Sequence, residues 1–495
     1  MGLSLSNAAC YAALSSRDAR FDGQFFVAVS STKIYCRPVC RVRLPARNNC
    51  RFFESAAQAE SNGYRPCLRC RPELATRWST HSISDSLAIH ATELFDASFT
   101  DLNVIHDISA RLGITERHLR RLLNEHLGVS PSQYVQTRRL LFAKQLLTDT
   151  DLAVADVALM SGFGSVRRFN TAIKQAYRLT PTDIRKSRTQ YRVLPPTGEC
   201  GLPNDVITCR LSVIPPFDFS HLLRFHERRS IASMETVQDG SYVRAIRLPA
   251  QGSRAAVTGW YRVRAINESQ LQLEVSRSLS REMSRVIVLV KAQFDLDANP
   301  HYWLASLGEL ADTAPGIRVP GGVSGFEVAV RAILGQQISV EAATRLLTRV
   351  VNAFGDDGIT GGPDKTFPTP AALASCDKNS LGELGIITSR AKAIQCIAML
   401  ILDGKLNLNP GADVAATSRC LSGVAGIGPW TVNYVLMRAL RWPDAFVATD
   451  LGIIKAADAM GIDDITTWAN RFRPWRAYAA MHLWHSLQQH QEGVT

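Results

Sequence analysis

The chain has 495 residues, 46% of them apolar and 20% charged, a globular composition with room for about three or four domains of ordinary size. No run of eighteen apolar residues and no basic stretch leading into an apolar one is present, which argues against a membrane span or secretory leader and gives the expectation of a cytoplasmic, nucleoid-associated protein. The net charge of +12 suggests a polyanionic partner, and it is uneven: residues 1–80 carry +7, residues 81–190 carry +3 and the remainder +2.

Eleven cysteines are present, and five of them (Cys36, Cys40, Cys50, Cys67 and Cys70) fall within 35 residues. In a chain expected to be cytoplasmic, that cluster suggests metal more than disulfides. Cys36-x3-Cys40 and Cys67-x2-Cys70 form two pairs, each able to place both thiolates on one side of a tight turn, as tetrahedral Zn(Cys)4 requires. Most sites of this kind are purely structural. Cys50 has no place among four ligands and reads as a core residue, as do Cys10, Cys200, Cys209, Cys376, Cys396 and Cys420.

The wider context carries more. Phe21-Asp22-Gly23, Thr32 to Arg41 and Gly63 to Cys70 together resemble the zinc-binding domain of the Ada family. The resemblance implies one zinc ion and a zinc-bound thiolate, Cys36 by its place in the motif, that accepts a methyl group from a DNA methylphosphotriester. Arg37, Arg41, Arg69 and Arg71 stand close by in sequence and are expected to hold the phosphate backbone.

After a polar stretch at 77–85 the pattern turns helical. Val104 to His126 reads as helix, a turn at Gly113 and a second helix capped by Thr115, with Arg117, Arg120 and Arg121 projecting. The design recurs from Ala153 to Tyr177, with a turn at Gly162 and a Ser165-capped helix bearing Arg167, Arg168 and Lys174. Joined by Pro131 to Leu147, the two units resemble the AraC-type double helix-turn-helix domain, and Gly162-Phe163-Gly164-Ser165 and Leu179-Thr180-Pro181 are typical of its second unit. The arginines then face base edges. In Ada-like activators this module follows the methyl acceptor, so the resemblance implies methylation-activated, sequence-specific DNA binding and RNA polymerase as a partner.

Pro195, Pro196, Gly198, Gly201 and Pro203 mark 188–205 as a linker. Alternating runs such as Tyr242 to Ile246 and Leu271 to Val275 then predict antiparallel strands with one buried face. From Gly325 the pattern is helical. Leu421 to Tyr434 reads as a hairpin between helices, with Gly426 and Gly428 allowing close backbone approach to a phosphate at a helix start. Asp450 follows the second helix; by residue type alone it is also a helix N-cap.

Hairpin and aspartate together resemble the helix-hairpin-helix glycosylase superfamily. Pro215 to Asp218, Phe326-Glu327, Arg331 to Ser339 and Arg473 to Arg476 bring the resemblance close to 3-methyladenine DNA glycosylase II, the AlkA family, over Val206 to Trp484. It implies a flipped base held by Phe225, Trp430, Tyr434 and Trp484, any of which is otherwise simple core, and Asp450 as the catalytic carboxylate. Trp430 occupies the position where bifunctional relatives carry a Schiff-base lysine, so a monofunctional hydrolase is implied. Gln337 replaces an apolar wedge. The cysteine-rich tail of iron-sulfur relatives is missing, so no such cluster is expected, and without a Pro-Cys-His-Arg motif no O6-methylguanine transferase is expected.

The expected fold class is multidomain, mainly α with α+β parts: an Ada-type α/β zinc domain (1–80), an all-α double helix-turn-helix domain (84–187), a linker (188–205), an antiparallel-sheet α+β domain (206–310) and an all-α helix-hairpin-helix glycosylase domain (311–495). A monomer acting on double-stranded DNA, alkylated and promoter, is expected, with no membrane partner. Two rival readings are a regulator with a non-catalytic glycosylase-like scaffold and a glycosylase whose front half only targets DNA.

Overall fold

The computed structural model describes residues 6–75, 86–186, 206–251, 254–377 and 379–492; the polar stretch at 77–85 and the linker at 188–205 lie outside them. The chain divides into two compact units. One comprises Met1–Ile214, Ser269–Val288 and Asp297–Asn299, and the other Pro215–Glu268, Leu289–Leu296 and Pro300–Thr495.

The first unit opens with α1 (Asn7–Ser16), capped by the Ser6 hydroxyl, which accepts the Ala9 N–H. Strands β1 (Phe26–Val29), β2 (Ile34–Cys36) and β3 (Cys50–Phe53), helix α2 (Ala56–Ser61) and strand β4 (Arg65–Pro66) follow, and the sheet order is β3-β1-β2-β4. β4 lies parallel to β2, with Ile34 beside Arg65 and Tyr35 beside Pro66. This register sets the two cysteine pairs side by side at the strand ends.

Next come α3 (Ser86–Ser98), α4 (Val104–Arg111), α5 (Glu116–Leu127), α6 (Pro131–Asp149), α7 (Val154–Met160), α8 (Val166–Tyr177) and α9 (Pro181–Lys186). α5 buries Leu119, Leu122, Leu123 and Leu127, and α8 buries Phe169, Ile173 and Tyr177, the apolar stripes expected of core-facing helices. Between the two helix-turn-helix units, α6 starts from a Ser130–Gln133 capping box and has Pro131 in its first turn.

The zinc module and α6 share a buried polar network. Lys144 Nζ donates to the Cys67 carbonyl (3.1 Å) and to Glu73 Oε2 (2.6 Å). Arg71 bridges Glu73 (2.9 Å), Asp149 (2.7 Å) and the Thr148 hydroxyl (2.9 Å). Glu60 accepts hydrogen bonds from Tyr35 (2.9 Å) and Thr137 (2.5 Å). Buried charges are tolerable only when paired in this way.

The chain continues through β5 (Val206–Ser212), α10 (Phe219–Glu227), β6 (Glu235–Gln238), β7 (Ser241–Leu248), β8 (Val257–Asn267) and β9 (Gln270–Ser276). Within the first unit, β5 and β9 pair antiparallel from Val206↔Ser276 to Ser212↔Gln270. Within the second, β7 pairs antiparallel with β6 and with β8. The rest is helical: α11 (Met283–Gln293), α12 (His301–Leu307), α13 (Glu309–Asp312), α14 (Gly325–Leu334), α15 (Val340–Phe354), α16 (Pro370–Ser375), α17 (Ser380–Glu383), α18 (Thr388–Leu402), α19 (Val414–Ser422), α20 (Pro429–Arg438), α21 (Leu451–Ala459), α22 (Ile465–Asn470) and α23 (Arg476–Glu492).

A buried quartet joins α14 to the strands of the second unit. Arg331 donates to Glu235 (2.6 Å) and Glu327 (2.8 Å), while Arg244 donates to Glu235 (2.8 Å) and also to Glu327. Two positive and two negative side chains cancel there, and α14 is thereby fixed at the register that sends Gln336 and Gln337 into the following loop.

Candidate functional sites

In the first unit, the Sγ atoms of Cys36, Cys40, Cys67 and Cys70 all lie within 4.8 Å of one another. Cys36 ends β2, and the Cys67 amide donates to the Tyr35 carbonyl at 2.9 Å. Four soft thiolates at this spacing fit zinc. The Cys70 sulfur accepts the Arg37 N–H (3.3 Å), Cys40 faces the Val42 amide and Cys67 faces the Cys70 amide. Cys50 stands apart, packed against the cluster of Cys10, Leu14, Phe25 and Val27.

Two of the four arginines expected to hold phosphate are directed inward instead. Arg37 pairs with Asp22 and donates to the Cys70 carbonyl (3.1 Å); Arg71 is taken by Glu73 and Asp149. Buried Asp22 and Glu73 need those cations, and of the four arginines Arg41 and Arg69 are exposed.

In the helix-turn-helix units, Thr115 and Ser165 cap α5 and α8 through the His118 and Arg168 amides. Arg117, Arg120, Arg121, Arg167 and Arg168 are all exposed on these helices, opposite the apolar stripes; Arg121 lies 3.8 Å from Glu125.

In the second unit the hairpin joins α19 to α20. Gly426 is exposed at φ +87°, a conformation that L side chains resist, and Gly428 is the N-cap position of α20. Gln336 braces this turn: its Nε2 donates to the Gly426 carbonyl (3.0 Å) and to the Thr431 hydroxyl (2.9 Å). Gln337, next to it, is exposed with φ +54°.

One turn apart on α20, Trp430 and Tyr434 stack with ring centroids 5.0 Å apart and planes at 15°. Asp450 caps α21 and gathers four donors. Its Oδ1 accepts from the Gly452 (2.9 Å) and Ile453 (3.1 Å) amides and from Trp484 Nε1 (2.8 Å); its Oδ2 accepts from Trp430 Nε1 (2.9 Å). Asp450 is thus the helix N-cap that its residue type allowed, and it also lies between two indoles. Trp430, Tyr434 and Trp484 pack on one apolar cluster around Phe446 and Leu483. Phe225, on α10, connects through Arg438, whose guanidinium is 4.6 Å from the Phe225 centroid and 5.3 Å from that of Tyr434.

Sequence reasoning missed Gln336, Arg229 and Arg438. The last donates to the Tyr434 hydroxyl (2.7 Å) and, together with Arg229, holds that hydroxyl below its ordinary pKa against the effect of burial. The i, i+4 spacing of Tyr434 and Arg438 was the available signal.

Four family models match the chain in order: the metal binding domain of Ada (residues 9–73), a helix-turn-helix domain (108–187), the AlkA N-terminal domain (208–324) and the HhH-GPD superfamily of base excision DNA repair proteins (330–467). The probable bifunctional transcriptional activator/DNA repair enzyme AlkA of Mycobacterium tuberculosis is 35% identical over 492 residues, covering 97% of this chain and 96% of that protein. The chain belongs to this AlkA family of bifunctional activators and repair enzymes. DNA-3-methyladenine glycosylase 2 of Escherichia coli is 35% identical over 273 residues, 55% of this chain and 95% of that protein. The bifunctional transcriptional activator/DNA repair enzyme AdaA of Bacillus subtilis is 30% identical over 175 residues, 35% of this chain and 80% of that protein. Like the fused AlkA relative, the chain combines a DNA repair glycosylase with a zinc-binding and helix-turn-helix regulatory front half.

Proposed function

We propose that the second unit is a monofunctional glycosylase for alkylated bases of the 3-methyladenine type, and that Asp450 is its catalytic carboxylate. The observation that carries this reading is the seating of Asp450 between the Trp430 and Trp484 indole N–H groups. Two donors beyond those needed to start a helix serve no capping purpose, and they fix the carboxylate among aromatic rings. Hairpin and loop hold the phosphates and the distorted strand while the base leaves the stack. As the N-glycosidic bond breaks, its electron pair leaves with the base and positive charge grows on the sugar; the Asp450 oxygens stabilise that charge. Water then adds to the sugar carbon and loses its proton, leaving an abasic site. Trp430 offers no amine for a Schiff base, so strand cleavage does not follow.

Asp450→Asn is expected to lower base release by about 10²–10³-fold while duplex binding is retained. Undiminished release from methylated DNA refutes the assignment.

In the first unit we assign Cys36 as methyl acceptor. Zinc, when bound, keeps the four sulfurs as thiolates at neutral pH. Cys40, Cys67 and Cys70 each face a backbone N–H that draws off electron density, and Cys36, at the end of β2, holds the acceptor's place in the Ada-type motif. The Cys36 sulfur attacks the methyl carbon; the S–C bond forms as the C–O bond breaks, and a phosphodiester anion leaves. One negative charge fewer at the sulfurs then lowers repulsion from DNA and activates operator binding and transcription. Cys36→Ala is expected to abolish methyl transfer and leave base release intact; methylated protein recovered from this variant counts against Cys36.

A further inference from the structure

A polar atom buried without a partner costs about 1–3 kcal/mol, so each one calls for an explanation, an ion or a water among them. Three such atoms belong to one group of side chains in the second unit. Both ring nitrogens of His482, on α23, and Nε2 of His221, on α10, are buried and find no hydrogen-bond partner among the described residues. The two residues are 2% and 6% exposed. His485 completes the group. It lies three residues beyond His482 on the same face of α23, and its ring centroid is 5.4 Å from that of His221, with the planes at 74°. His482 in turn is close enough to both other rings for each to disfavour its charged form.

The surroundings suit a cation. Burial first, and then His485, holds His221 and His482 down to about 4, so both rings are neutral at neutral pH, the form in which imidazole ligates a metal. Asp218, the N-cap of α10, favours positive charge at His221 and is opposed there by the exposed Arg224. His226 makes the contrast. Its Nε2 is also buried without a partner, but Arg438, Arg244, Arg331 and Arg229 all bear on that ring and exclude a further cation.

We propose that His221, His482 and His485 form a three-histidine site for a divalent transition-metal ion, zinc by ligand type, with the remaining position open to water. Two imidazoles on one tetrahedral zinc, at a Zn–N distance of about 2.0–2.1 Å, hold their ring centroids roughly 5 Å apart, near the separation of His221 and His485. The four cysteines are the preformed ligand set among the described residues. The histidine nitrogens converge by rotation about χ2, a broad and roughly two-fold torsion, and each ring needs only one nitrogen for the metal. Bound there, the ion ties α10 to α23, the helices that carry Phe225 and Trp484, and stiffens the frame on which both rings are mounted.

The test uses untagged full-length protein, saturated with Zn2+ and freed of excess by gel filtration, with bound metal measured per chain. Two zinc ions are expected for the parent, one at the cysteines and one at the histidines. His221→Gln, His482→Gln and His485→Gln are each expected to weaken the second ion by more than the about 10–100-fold lost with an outer-shell partner. His485 is only half-buried, so its variant keeps the test decisive if His482→Gln fails to fold. Co2+ identifies the ligands: at the cysteines it gives sulfur-to-metal charge-transfer absorption, and the second equivalent, on nitrogen, is expected to add none. A single zinc per chain in the parent overturns the proposal and leaves water as the partner of these nitrogens. A second zinc that survives all three substitutions overturns it as adventitious binding. Neither outcome touches base release, on which the glycosylase reading stands.

Discussion

Asp450, Trp484 and Gly452 meet so closely that the smallest added side chain would intrude. A Cβ on Gly452 would lie 3.0 Å from Asp450 Oδ1 and 3.1 Å from Trp484 Cδ1. Gly452→Ala is therefore expected to lower kcat about tenfold by moving the carboxylate, with the thermal midpoint little altered; an unchanged kcat shows that the site tolerates the shift. A second single-residue effect belongs to Glu60, whose carboxyl is pushed up to about 7, chiefly by burial and against the Thr137 and Tyr35 hydrogen bonds. Its folded pKa exceeds the ordinary 4.5, so its stabilising contribution is complete below that pH and is lost as pH rises through about 7. Glu60→Gln removes the dependence. The difference in Tm between variant and parent should move in the variant's favour as pH rises through that range, and a constant difference contradicts the assignment. The thiol pairs and Asp450 were legible in the sequence because their motifs are short and local. The inward turn of Arg37 was not, since nothing near it names Asp22 as its partner; for Arg71 only Glu73 lies close in sequence, and Asp149 does not.

At the level of elements, local signals marked the helix starts well. Thr115 and Ser165 cap the helices they were expected to cap, and the alternating runs at Tyr242 and Leu271 lie in β7 and β9. What periodicity does not encode is which buried cations join one element to another. Lys144 sits on α6 as a fully buried amine, contrary to the usual preference of lysine for solvent, because Glu73 and the Cys67 carbonyl await it. Likewise, the pairing of Arg244 and Arg331 with Glu235 and Glu327 joins residues up to 96 positions apart, beyond any local motif. Lys144→Met should destabilise the first unit by about 3 kcal/mol, since it leaves Glu73 buried with one cation instead of two. Chemical denaturation that shows no shift in the midpoint of that unit's transition excludes this role.

For the molecule as a whole, the charge divides into exposed and structural portions. Of the +7 carried by residues 1–80, Arg37 and Arg71 are consumed internally, while Arg41 and Arg69 stay exposed. Arg41→Ala is expected to lower the slope of log affinity against log salt by about one, as for loss of one phosphate contact. Arg37→Ala is expected to lower stability instead; equal salt slopes for Arg41→Ala and the parent place Arg41 away from DNA. The network around Lys144 has a further consequence, one of thermodynamic reciprocity. Because the helix between the two helix-turn-helix units holds the carbonyl of Cys67, a member of the four-cysteine cluster, metal retention and DNA binding in the first unit have a physical route by which to couple; whatever factor the one applies to the other is then returned in equal measure. Duplex DNA bound through Arg167 and Arg168 should then slow the loss of zinc to a chelator, so that the protein keeps its metal longest while it is engaged on DNA.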